Sequence, residues 1–431
     1  MKVLIISHNP ITTQNNMGKT FLSLFSQFER EELCQLYIYP TLPNVDRCAS
    51  FYRVTDKEIL RSLIPGKKAG RVIAPEQICA TEGLYEKPAD EALYRNRKNK
   101  SPVRRLLRDA LWSVGNWYNR DLKAWLDREK PECIFVAPGA AKFIYDFAIR
   151  ISRNRNIPIV TYICDEFYFV KESAQPMERL RLGLFRRKMK DLMAHTGHLV
   201  TISEELKEEY TREFGVRATV VMTGASDSCV AVPESDQPSQ ICYFGNIRAN
   251  RYRSLAQIGA ELDRMNLELD TDYRLKIYTM EKDETILEPL RQIRAVELHP
   301  FVTGADFEAA FRQAQLLLHV EAFDEASIDT VRHSVSTKIA DSLASGMPLL
   351  AYGPDCVSSM KHLLRHGCGI AATSEAELRE MLLRAFRDED ARKQAAARGR
   401  EVAAVWHDSK INGLRMRELL EETINDWKSK G

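Results

Sequence analysis

The sequence predicts an α/β protein of two domains, each a parallel sheet covered by helices on both faces. Three observations carry this. The chain has 431 residues, whereas a single hydrophobic core stops growing at roughly 250 to 300. Short β-branched runs alternate with longer helical patterns, the order a parallel sheet requires, and the alternation occurs twice. Between the two series, Val232–Ser239 gathers two prolines and several turn formers into one polar stretch that reads as a linker.

In the first series strands are expected at Lys2–Ser7, Gln35–Tyr39, Cys133–Val136, Ile159–Ile163 and Leu199–Ile202. In the second they are expected at Gln240–Phe244, Leu275–Tyr278, Leu316–His319 and Pro348–Ala351. This gives domains at 1–230 and 239–410. Residues 411–431 carry apolar side chains at helical spacing and end in charge, the pattern of a closing helix.

Hydrophobic residues make up 44% and charged residues 28% of the chain, as in a soluble globular protein. A formal net charge of only +2 gives no global attraction to nucleic acid. The nine cysteines are scattered singly with no CxxC pair, which fits a reducing, cytoplasmic setting better than a disulfide scaffold. Val3–Ile6 has the length of a buried strand, not of a signal-peptide core. No run approaches the roughly 20 apolar residues of a membrane-spanning helix, so any membrane contact is expected to be peripheral.

Two segments suggest such contact. Asn99–Trp125 places Arg104, Arg105 and Arg108 beside Trp112, Trp117, Tyr118 and Trp125 at helical spacing. Met177–Met193 places Arg179, Arg181, Arg186, Arg187 and Lys188 around Leu180, Leu182, Leu184 and Phe185. Basic residues beside an apolar and aromatic face suit an anionic lipid surface at the inner membrane. The competing reading is an ordinary helix whose aromatic stripe is core.

The densest chemical signal runs from His333 to Leu350. Ser336, Thr337 and Lys338 open a helix, Ala344 and Gly346 close it, and Pro348 leads into a strand. A helix start offering N–H groups, two hydroxyls and a cation is suited to a diphosphate; the alternative is that Ser336 or Thr337 merely caps the helix. Upstream, Leu316–Val320 ends in the acidic turn Glu321-Ala322-Phe323-Asp324. The second series opens Ile241-Cys242-Tyr243-Phe244-Gly245-Asn246, with Arg248 and Arg251 following. Arginine suits phosphate because its planar fork bonds two oxygens. Near the amino terminus, Gly18-Lys19-Thr20 tempts a P-loop reading, but that motif requires glycine where Thr13 stands. Asp165 and Glu166 follow a strand, and Asp165 is placed to act as a general base.

The segment Ser336–Pro348 resembles the donor-site helix of GT-B glycosyltransferases, in particular the retaining group 1 family of bacterial polysaccharide biosynthesis. Ser336, Lys338, Ala344, Gly346 and Pro348 match the pattern S-x-K-x-x-E-x-x-A-x-G-x-P-V, with Asp341 in the place of its glutamate. The resemblance implies two Rossmann-like domains facing across a cleft, an amino-terminal acceptor domain and a carboxyl-terminal donor domain. It implies a nucleoside-diphosphate sugar as co-substrate, a saccharide or lipid-linked acceptor, and no cofactor or metal. By this resemblance Gly245, Asn246, Arg248, Ser336 and Thr337 hold the nucleotide diphosphate, and Gly18 is the remnant of a glycine-rich turn. Arg251 and Lys338 meet the leaving group and Glu321 meets donor hydroxyls. The family's pair of glutamates is incomplete, because the position eight before Asp341 is His333. A nucleotide-sugar epimerase of the same fold and a catalytically silent binding protein remain alternatives. A dinucleotide oxidoreductase does not, since no G-x-G-x-x-G follows a strand.

Overall fold

The computed structural model describes residues 1–13, 16–78, 101–171, 175–226 and 238–430. It divides into two compact units, Met1–Thr223 with Lys410–Gly431, and Gly224–Ser409. Most of the expected linker, from Val232 on, lies outside the described residues, as do Cys79 and Cys229. The described cysteines are all free.

The first unit is built on an eight-stranded sheet: β1 (Val3–Ser7), β2 (Leu33–Tyr37), β3 (Ser50–Arg53), β4 (Arg71–Val72), β5 (Cys133–Ala137), β6 (Ile159–Ile163), β7 (Thr196–Thr201) and β8 (Ala218–Val220). Its order is β4-β3-β2-β1-β5-β6-β7-β8. Only the β3–β4 pair is antiparallel. β1, β5 and β6 are buried along their whole length, as near-continuous apolar strands of a two-sided sheet must be.

Local signals agree with this topology. The helix Glu204–Phe214 begins where the Ser203 hydroxyl accepts from the Leu206 N–H at 3.3 Å, and ends at Gly215 in the left-handed region, φ 64°. The closing helix Ser409–Lys430 packs within the first unit. A Cβ on its Gly413 would stand 2.3 Å from Ser26 Oγ, and Arg417 Nη1 donates to Glu32 at 3.0 Å.

The second unit carries β9 (Gln240–Phe244), β10 (Arg274–Thr279), β11 (Val296–Pro300), β12 (Leu316–Val320), β13 (Leu349–Tyr352) and β14 (Ile370–Ala372). The order β11-β10-β9-β12-β13-β14 is all parallel and is the dinucleotide-fold order, reversing direction between β9 and β12. In such sheets ligands bind beyond the strands' carboxyl ends at that reversal. Both units are thus Rossmann-like, and the fold is GT-B.

The aromatic residues expected to face lipid are core instead. Trp112, Trp117, Tyr118 and Trp125 are 0–8% exposed. Trp112 stacks on Phe143 with ring centroids 4.1 Å apart, and its indole N–H donates to Asp56 at 2.7 Å. Burying these large rings and satisfying the indole N–H outweighs any gain from presenting them to a surface.

Candidate active site

In the second unit, the turn after β9 is the pivot. Gly245 lies where a Cβ would stand 2.0 Å from Lys338 Nζ, so the absent side chain makes room for the lysine's ammonium. Lys338 reaches back over the Tyr243 ring, 5.9 Å from its centroid. The Tyr243 hydroxyl donates to the Asn246 carbonyl at 2.7 Å, and Asn246 Oδ1 accepts the Arg248 N–H at 2.8 Å. Ala249 and Asn250 then both take left-handed backbone, φ 52° and 56°. Such conformations are costly for an alanine and persist where surroundings impose them. They aim the helix Arg251–Leu269 so that Arg251 faces the end of β12.

There Glu321 waits. Its N–H donates to the Tyr352 carbonyl at 2.9 Å, and its carbonyl accepts from Ser254 Oγ at 2.8 Å. Gly353 packs so closely that a Cβ would lie 3.0 Å from Glu321 Cβ. The carboxylate, buried, receives Arg251 Nε at 2.9 Å and Nη2 at 3.1 Å. Burial pushes the Glu321 carboxyl above its ordinary range, opposed by Arg251 and then Lys338. His319, two positions before Glu321 and so on the same face, bonds Ser359 Oγ at 3.1 Å. Burial, then Arg251 and Lys338, push it down to about 3, so it stays neutral beside these cations.

The helix Thr337–Ala344 starts without a side-chain cap: Ser336 makes no capping bond. Asp341, in the glutamate's place, accepts the N–H and hydroxyl of Ser226 at 2.8 and 3.0 Å. Arg248 is drawn to Glu281, at 2.5 and 2.9 Å. That contact, with backbone N–H groups of Lys282 and Asp283, lowers Glu281 to about 2.

The structure therefore gathers Gly245, Arg251, Glu321 and Lys338 at the carboxyl ends of β9 and β12, with Ser336 and Thr337 at the adjoining helix start. Arg248 and Asn246 shape the turn. Glu281, Ser226 and Tyr243 escaped sequence reasoning. The first two lie 33 and 115 residues from their partners, and no local pattern marks them.

Gly18 and Asp165 belong to the first unit. Gly18 is buried in the helix Asn16–Leu24, where a Cβ would fall 1.9 Å from the Thr12 carbonyl oxygen; close backbone packing explains its glycine. Asp165 lines a pocket of about 150 Å³ beyond the carboxyl ends of β1, β5 and β6, at that sheet's own reversal. Ser7, His8, Gly139, Tyr162 and Phe167 share the lining. Glu166 turns away, accepting the Phe169 N–H at 2.7 Å and that of Tyr168, and burial pushes it up to about 7.

The fold is GT-B, and its second unit gathers Arg251 and Lys338 around Glu321 as a candidate ligand site. Residues 261–420 match the family model described as glycosyl transferase-like. The match takes in Glu321, Ser336 and Lys338, and the two-unit fold is the one GT-B glycosyltransferases have. No curated protein sequence matches. Solved structures similar over nearly the whole chain include Anabaena HepE in complex with UDP, at 12% identity and TM-score 0.61, covering 98% of this chain and 100% of that one. Sucrose-phosphate synthase from Thermosynechococcus elongatus matches at 10% identity and TM-score 0.60, covering 99% and 100%. A trehalose-phosphate synthase from Burkholderia xenovorans, in complex with glucose-6-phosphate, matches at 10% identity and TM-score 0.58, covering 97% and 100%.

Proposed function

We propose that the protein transfers a sugar from a nucleoside-diphosphate sugar to a saccharide or lipid-linked acceptor, without a metal ion. The observation that carries this is the convergence of Arg251 and Lys338 on one point at the reversal of the second sheet, beside an uncapped helix start. As the bond from the anomeric carbon to phosphate breaks, negative charge grows on the departing diphosphate, and fixed cations stabilise it more than the ground state. Glu321 orients Arg251 in this scheme. The acceptor oxygen forms the new bond to the anomeric carbon. Its proton passes to Asp165 if configuration inverts, or to the departing phosphate oxygen if it is retained.

The UDP, UDP-glucose and glucose complexes of HepE support a nucleotide sugar as donor. The first-unit pocket, with its hydroxyl, imidazole and carboxylate groups, suits a polyhydroxylated acceptor. A thermal-shift screen against UDP, GDP, CMP, ADP and NAD, with and without magnesium, tests the reading. A metal-independent rise with one nucleoside diphosphate is expected. No rise with any nucleotide overturns it. Turnover of the donor with no acceptor, yielding an isomerised sugar, would instead favour an epimerase.

A further inference from the structure

The first-unit pocket holds a buried polar group that the chemistry above leaves unused. Tyr162, near the carboxyl end of β6, lines that pocket and is 1% exposed. Its hydroxyl has no hydrogen-bond partner among the described residues. Folding strips such a group of water and returns nothing, so a buried hydroxyl left in this state calls for an explanation. Its neighbours are engaged elsewhere. Ser7 Oγ donates to the Asn9 carbonyl at 2.8 Å and accepts from Gln35 Nε2 at 2.9 Å. The Gly139 carbonyl accepts the Tyr145 hydroxyl at 2.7 Å. The Tyr162 ring is held in place by stacking on Phe135, centroids 5.7 Å apart, and Phe135 is wedged in turn against Phe21 and Phe25. Tyr52 and Tyr210 also carry buried hydroxyls without a bond, but Asn119 and Glu166 stand close by them. At Tyr162 the neighbours that act on the hydroxyl are Cys164 and Asp165, both lining residues, which places it on the pocket side. Burial, then these two, raise it well above its ordinary range, so it stays protonated and able to donate.

Charge in the pocket is one-sided. Asp165 is its single carboxylate, and no Lys or Arg is among the described lining residues. The cation nearest in sequence, Lys142 at the start of the helix Lys142–Arg155, is nearly buried and pairs with Asp109 at 3.1 Å. Met17, Ile163 and Phe167 supply apolar walls.

We propose that this pocket takes an uncharged pyranose unit of the acceptor, that Tyr162 bonds one of its hydroxyls, and that phosphorylated and acidic sugars are refused. A pyranose brings a C–H face for the apolar walls and hydroxyls for Tyr162 and Asp165, the mixture of surfaces such a pocket binds. An anionic sugar meets the Asp165 carboxylate with no lining lysine or arginine to offset it. The proposal rests on the acceptor reading of this pocket, and the experiment separates the two.

Saturation-transfer NMR on the full chain, with and without UDP, compares methyl glycosides of glucose, galactose, mannose and N-acetylglucosamine with glucose 6-phosphate, galactose 6-phosphate and glucuronate. At least one neutral glycoside should bind, and the charged sugars about tenfold more weakly or not at all. Tyr162→Phe should weaken that glycoside by about three- to tenfold. Its melting temperature without sugar should equal or exceed the parent's, because the change removes an unsatisfied group. One monodeoxy form of the glycoside should bind parent and variant alike, marking the hydroxyl that Tyr162 reads. A fall in melting temperature, undiminished binding by Tyr162→Phe, or a charged sugar that outbinds its neutral counterpart overturns the proposal. If the glycoside binds parent and Tyr162→Phe alike but is lost in Phe167→Ala, the pocket still serves the acceptor and only the role of Tyr162 fails. If no sugar binds while UDP does, the acceptor reading falls together with the proposal.

Discussion

Arg251 closes a two-pronged contact with Glu321, Nε to Oε2 at 2.9 Å and Nη2 to Oε1 at 3.1 Å, at a point where the carboxylate is 3% exposed. Removing one partner of such a pair leaves a buried charge unanswered, whereas removing both does not. Arg251→Ala should therefore destabilise the protein by about 3 kcal/mol, and the added change Glu321→Met should recover much of that. Neither variant should bind nucleoside diphosphate like the parent. Urea unfolding and nucleotide titration check both halves; a double variant that binds normally would remove Arg251 from the donor site.

The Lys338 ammonium occupies the space a Cβ at 245 would need. Lys338→Ala should lower turnover by about 10²-fold at unchanged melting temperature, because the lysine is exposed. Gly245→Ala should displace the ammonium and lower turnover in the same direction by less, since a flexible side chain can yield. Release of nucleoside diphosphate from the donor reads both. Equal turnover in Lys338→Ala and parent would refute the lysine's role.

Glu166 gives a pH signature. Its folded carboxyl, raised to about 7 chiefly by burial, holds a proton that the unfolded chain releases near 4.5. The folded state therefore binds more protons between those values, so stability falls as pH rises through this window and levels off above it. The contribution is about 3 kcal/mol across the whole range. Glu166→Gln should flatten this part of the profile when unfolding is followed from about pH 5 to about pH 8. An unchanged slope in the variant would show that the carboxyl is not held protonated.

What the sequence disclosed and what it withheld divide along physical lines. The interior strands β1, β5, β6, β9, β12 and β13 declare themselves because burial on both faces leaves mostly apolar residues. Their expected boundaries fall within a residue of the observed ones, whereas β2 was expected at Gln35–Tyr39 and lies at Leu33–Tyr37, and β7 was expected at Leu199–Ile202 and lies at Thr196–Thr201. β3, β4, β8, β11 and β14 escaped notice. Four of these are sheet edges, where short length and polar side chains suffice: β4 has two residues, β8 and β14 three, and β11 alternates Val-Glu-Leu-His-Pro. At the site, Ser336 and Lys338 were legible because a helix start, its cation and its closing glycine are neighbours in sequence. Glu321's partnership with Arg251 spans 70 residues and depends on the β9–β12 reversal, which spacing alone does not encode. The lipid-facing aromatic reading failed for a related reason: helical periodicity identifies a stripe but not which stripe faces inward.

Asp165 and Phe167 offer a division of the reaction into its two substrates. Asp165 lies exposed on the pocket beside Cys164, Sγ to Oδ2 at 3.9 Å, and Phe167 closes the same pocket while packing near Phe185, ring centroids 6.5 Å apart. Both belong to the first unit, apart from the Arg251 and Lys338 cluster of the second. Asp165→Asn keeps the side chain's shape and removes its basicity, so kcat toward acceptor should fall by about 10²-fold with donor Kd unchanged. Phe167→Ala removes a wall without touching a proton, so acceptor KM should rise while kcat changes little. Steady-state kinetics with the acceptor varied at saturating donor, alongside nucleotide titration, distinguishes these outcomes. If either substitution weakens nucleotide binding instead, the pocket serves the donor and the assignment of the first unit to the acceptor is wrong. If Asp165→Asn leaves kcat intact while Phe167→Ala raises KM, the pocket binds acceptor and the proton leaves by the departing phosphate, as retention of configuration requires.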